Sequence, residues 1–150
     1  MHFAGRQVGK VQDCLAAAQQ GKVPMQQLLR KLALELTGLP GRTPALARSV
    51  VSAFLSNEEV RNVMREEIAG RGRLILAQIL ALGQERGEIR DDVKPIELAG
   101  ALQQSLFGTL LLWSLNPVDP LPGVIEKMVG VLWTGMQVSP SKSSRKKVQR

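Results

Sequence analysis

Two stretches near the C-terminus, 95–115 (PIELAGALQQSLFGTLLLWSL) and 120–137 (PLPGVIEKMVGVLWTGMQ), are apolar at helical spacing on almost every side. A helix with one apolar stripe buries it against one neighbouring layer; a helix with two stripes needs a second layer. On 95–115 the bulky stripe is Ala99, Leu102, Leu106, Leu110 and Trp113, and a smaller one is Ala101, Gln104, Gly108, Leu111 and Leu115. On 120–137 the bulky stripe is Leu121, Ile125, Val129, Leu132 and Met136, and the second face is Val124, Met128, Val131 and Gly135. The second layer comes either from other helices of the chain or from a partner subunit. Two adjacent helices of this kind favour a two-fold dimer closed through a four-helix bundle, with both second faces at the interface.

The run 98–115 is long enough to raise a membrane span, but Gln103, Gln104 and Ser105 sit in its middle. A buried helix in a soluble, cytoplasmic protein is the expectation, with no membrane partner. At 150 residues the chain has the size of one domain and can hold a core without staples. Aromatic residues make up only 3% and tyrosine is absent, so the enrichment expected of a sheet is missing and an all-α fold follows.

Chemistry is poorly provided for. Cys14 is the single cysteine and His2 the single histidine. An internal disulfide, a multi-cysteine zinc site and the His-dependent catalytic arrangements are therefore out of reach, and neither an enzyme nor a cofactor is expected. The formal charge of +7 is concentrated at the end of the chain. Lys142, Arg145, Lys146, Lys147 and Arg150 all fall in SPSKSSRKKVQR, which holds no acid, so seven less these five leaves +2 elsewhere. Residues 139–150 are expected to be a disordered, solvated basic tail following a domain at 1–138.

Six helices can be read from apolar spacing. The first, 3–19, carries Phe3, Val8, Val11, Leu15 and Ala18; the second, 24–38, aligns Met25, Leu28, Leu29, Leu32 and Leu36 on one stripe. Thr43 is placed to cap the third, 44–55, with Pro44 at its first position. Ser56 with Glu59 resembles a capping box opening a long fourth helix, whose stripe is interrupted by the Gly-Arg-Gly-Arg run at 70–73. Two interior glycines cost about 1 kcal/mol each, so a kink or a functional demand is expected there.

The charged corner GQERGEIRDDVKP raises the question of a site on Glu88, Asp91 and Asp92. A calcium loop needs further oxygen ligands at fixed spacing, which are lacking, so no metal is expected. The run reads instead as a helix stop at Gly87, with Arg86 facing the carbonyl end, and a helix start at Pro95 with Glu97 in the first turn. Lys94 fits the cap position poorly, and Asp92 is the candidate to cap from two residues back.

Three segments, SAFLSNEEVR, LALGQERGEIRDDVKPIELAGALQQSLFGTLLLW and VLWTGM, together resemble the C-terminal half of a TetR-type (AcrR-like) transcriptional regulator. The resemblance runs from Phe3 to Met136. It implies a ligand-sensing domain of a repressor, dimeric through its last two helices, in which a small apolar effector enters the bundle and moves the first helix. Candidate pocket residues are Met25, Phe54, Met64, Gln103, Phe107 and Trp113, apolar except for one amide. The family's helix-turn-helix is not recognisable here. HFAGRQVGKVQDCL resembles the middle of the helix that follows it, so DNA would be reached only through a missing N-terminal domain. The competing expectation is a helical interaction module without ligand, dimerising with itself or with an intact regulator.

Overall fold

A computed structural model describes residues 2–138; the expected basic tail, 139–150, lies outside the described residues. The elements are α1 (His2–Gln20), α2 (Met25–Gly38), α3 (Pro44–Ser56), α4 (Glu58–Val63), a π-helical segment (Met64–Gly72), α5 (Arg73–Glu85), α6 (Pro95–Leu115) and α7 (Leu121–Met136). α4, the π segment and α5 run on without a break, so six rods are formed, as the apolar spacing predicts. Among the described residues the one β-type pairing is an isolated antiparallel bridge between Ile89 and Gln137.

α6 is the hub. It packs against α5 most extensively, and against α3, α7 and α2. α1 lies across α2, α5 and the π segment, and α7 rests on α2 and α6. The core that results draws Leu28, Leu29 and Leu32 from α2, Leu76, Ile79 and Leu80 from α5, and the bulky stripe of α6.

Local chemistry sets the boundaries. Thr43 caps α3 by accepting from the Leu46 amide at 3.1 Å. The next cap is not Ser56 but Asn57, whose extended backbone lets Oδ1 accept from the Val60 amide at 3.1 Å. Ser56 is still helical and donates its hydroxyl to the Ser52 carbonyl, so it closes α3 and opens nothing. The Gly-Arg-Gly-Arg run falls in a widened coil, in which the Arg73 amide reaches back five residues to the Ile68 carbonyl. A Cβ at Gly72 would come within 3.2 Å of the Glu67 carbonyl oxygen, which explains the glycine there.

The charged corner is a brace. Gly87 takes φ +74°, its amide bonds the Gln84 carbonyl and the Glu88 amide bonds that of Gly83, a Schellman stop. Glu88 then accepts from the Met25 amide at 3.3 Å, at an α2 start whose Pro24 offers no side-chain cap. Arg90 holds Asp92 in a two-pronged pair at 2.7 Å, donates its amide to the Met136 carbonyl at 2.8 Å and its guanidinium to that of Gly135. The corner thereby ties the end of α7 to the α5–α6 turn. Lys94 contributes no side-chain cap to α6.

Ile89 fills the space beside Gly83. A Cβ on Gly83 would sit 2.5 Å from Ile89 Cδ1 and 3.2 Å from Met25 Cγ. Gly83→Ala is therefore expected to cost about 1–3 kcal/mol by overpacking. Urea unfolding should show a lower midpoint at unchanged slope; an unchanged midpoint would mean that Ile89 yields freely.

Candidate functional site

Among the described residues the helices leave a half-open cavity of about 120 Å³ bounded by α1, α2, α3, the π segment, α5 and α6. Its walls are apolar: Val8 and Val11 from α1, Leu29 and Ala33 from α2, Leu106 and Leu110 from α6. At one end stand all three phenylalanines of the chain. Phe54 stacks on Phe107 with ring centres 5.8 Å apart and meets Phe3 at 6.4 Å. Beyond Phe3, Phe54 and Met64 an outer groove of about 350 Å³ opens between the start of α1 and the α3–α4 junction, sharing those residues with the cavity.

Of the six expected pocket residues, Phe54, Met64, Gln103 and Phe107 meet at this cavity. Met25 and Trp113 do not line it. Met25 is fully buried against the Gly83 turn, and Trp113 donates its ring N–H to the Asp119 carbonyl at 2.6 Å, tying the end of α6 to the loop before α7. Both occupy good core positions, and apolar spacing cannot tell a core position beside a void from one that is filled.

The polar lining is already engaged. Gln103 accepts from Arg73 Nε at 2.7 Å and donates to the Ile68 carbonyl at 2.8 Å, so its amide fastens α6 to the π segment. Gln7 donates to the Leu36 carbonyl and accepts from Lys10, and the Thr37 hydroxyl donates to the Ala33 carbonyl. Among the described residues no buried side-chain nitrogen or oxygen lacks a partner. The α1 wall, with Phe3, Gln7, Val8 and Val11, was hidden because the first helix reads as a lever; the Phe3–Val8–Val11 stripe was its signal.

The second faces of α6 and α7 are exposed only in part, with Val124 and Met128 packed against the core. Ala101, Gln104, Leu115, Val131 and Gly135 are exposed, and Gly108, Leu111, Val124 and Met128 half-buried. Leu115 is 68% and Val131 72% exposed, and Leu112, one turn after Gly108, is 67% exposed and joins them. Gly108 and Gly135 have open space where a Cβ would stand. Among the described residues α6 alone is long and apolar enough to cross a membrane, yet its bulky stripe is packed inside the bundle.

Residues 24–131 match the family described as "Tetracyclin repressor-like, C-terminal domain". The chain belongs to that family. No curated protein and no solved structure matches it significantly. Domains of the tetracycline repressor-like class belong to transcriptional regulators and typically dimerise. The matched span begins at Pro24, so α1 is joined to this TetR-type domain by its packing on α2, α5 and the π segment.

Within the TetR-type domain, the corner acids act structurally: Glu88 pairs with Arg86 at 3.6 Å and Asp92 with Arg90. Among the described residues no three His, Cys, Asp or Glu side chains group as a metal site. Cys14 is buried in the core, and burial, with Glu35 adding to it against Lys31, pushes its thiol up to about 11.

A thiol whose ordinary value is 9.0 therefore resists ionisation when folded. Its contribution to stability is full below pH 9 and is lost as pH rises from there through 11, because the unfolded chain then gives up the proton first. Alkaline unfolding should show a loss of about 2–3 kcal/mol over that range from this group. Cys14→Ala should flatten that part of the profile; an identical slope in the variant would remove Cys14 as its source.

Proposed function

We propose that this chain is the effector-binding and dimerisation domain, spanning residues 1–138, of a TetR-like cytoplasmic repressor from a bacterium. The observation that carries the reading is the apolar cavity walled jointly by α1 and α6, inside a domain of this family. A small apolar molecule held there touches the first helix directly, through Phe3, Val8 and Val11.

The switch is a matter of differential affinity. A ligand moves an equilibrium only as far as it prefers one state, and a swing from 1:99 to 99:1 requires about 5.5 kcal/mol of preference. α1 is suited to be the moving part. Lys10 reaches the Glu35 carbonyl and Gln7 that of Leu36, two polar clasps that hold α1 to α2 at the cavity wall. A ligand that spreads the wall stretches these clasps first. DNA reading is assigned to an N-terminal helix-turn-helix domain separate from residues 1–138, and the reading invokes no membrane or cofactor.

The partner is a second copy, seated on the second faces of α6 and α7. On these faces Leu112, Leu115 and Val131 are exposed and Leu111 half-buried, apolar area that a second copy would cover. The same face also favours the second reading, a ligand-free dimerisation module that pairs with an intact regulator.

Light scattering should give twice 16.4 kDa for the chain. Gly108→Leu meets no atom of its own subunit at the first side-chain position, so its effect falls on the interface. The variant should weaken association at least tenfold with a near-native melting temperature. A dimer of unchanged affinity would place the interface elsewhere.

A further inference from the structure

We infer that the cavity takes one neutral, hydrocarbon-like six-membered ring, of the benzene or toluene class, and rejects charged molecules of the same size. This rests on the effector-binding reading above and narrows it to a chemical class.

Volume sets the size of the inner subsite. A dry apolar cavity of about 150 Å³ holds benzene, and this one is about 120 Å³. One ring fills this space, and a larger guest would have to reach into the outer groove that shares Phe3, Phe54 and Met64 with it. Phe107 is 39% exposed at the rim, whereas Leu29 and Ala33 opposite are fixed in the core.

Chemistry sets the class. The lining has no charged side chain. The polar groups it does have are spent on the fold: Gln103 on Arg73 and Ile68, Gln7 on Leu36 and Lys10, and the Thr37 proton on Ala33. A carboxylate or ammonium brought here would lose its water and find no charged side chain in the lining, Arg73 and Lys10 standing behind Gln103 and Gln7 and bonded to them, whereas an apolar ring loses nothing by leaving water. The Phe54 ring, shared between cavity and outer groove, offers an aromatic guest the edge and face contacts that aromatic pairs prefer. The groove beyond Phe3 and Phe54 is the way in. Its one acid, Glu59, disfavours anions further.

The test uses the full 150-residue chain with labelled leucine and valine methyl groups, titrated at pH 7 with toluene, benzoate and benzylamine. Toluene should shift the methyls of Val8, Leu29 and Leu106, and the two ions should bind at least tenfold more weakly. Ala33→Leu, which fills the cavity, should cost toluene at least tenfold. If that variant does not fold, Leu110→Ala provides the second arm by enlarging the space, and should shift selectivity from toluene toward naphthalene at least fivefold. Benzoate or benzylamine binding as tightly as toluene overturns the chemical class and leaves the effector cavity standing. No shift at any cavity methyl with all three probes overturns the effector reading as well.

Discussion

α6 cannot be covered from one side, and the rest of the domain is built around that constraint. Its bulky stripe from Leu98 to Trp113 is buried by α2, α3, α5 and α7, yet Leu112 and Leu115 remain on the outside and Leu111 is only half-buried. The ends of the helix are secured separately. Pro95 begins it after the braced corner, and at the far end Arg48 reaches the Ser114 carbonyl at 3.1 Å while Trp113 holds the Asp119 carbonyl. A helix fixed in this way offers a rigid outer surface, and a rigid surface loses little entropy on association.

The cavity follows from the same helix meeting an irregular partner. Gln103 lies in the middle of α6, where an unpaired amide would be costly, and it is satisfied by Arg73 and by the Ile68 carbonyl of the π segment. The π segment in turn widens the long α4–α5 rod beside α6, and Met64, Ile68 and Gly72 from it line the void. One buried polar contact thus joins the hub helix to the widened turn at the cavity wall. The three phenylalanines close the end that this packing leaves open.

Much of this was legible in the residues themselves. The helix count, the Thr43 cap, the Gly87 stop and the division of α6 and α7 into two faces follow from periodicity and turn chemistry, which are local. The failures were also local decisions between near-equivalent neighbours. Ser56 and Asn57 both make caps, and the side chain whose backbone turned extended took the role. Met25 and Trp113 lie on the bulky stripes of their helices, but a void depends on side chains from six elements meeting imperfectly, which no single stripe encodes. The glycines at 70 and 72 announced an irregularity without saying that it would be a widened coil. Glu88 as a brace on the start of α2 pairs residues 63 positions apart, beyond any local signal.

The central claim is that α6 serves two layers, its own core on one side and a second copy on the other. Nuclear Overhauser contacts between methyl groups, filtered to pass only between labelled and unlabelled copies, test this most directly. The account predicts such contacts at Leu111, Leu112, Leu115, Val124 and Val131, and none at Leu29, Leu76 or Leu106. Contacts between copies that avoid the α6 and α7 outer faces, or none at concentrations well above the expected association range, would contradict it.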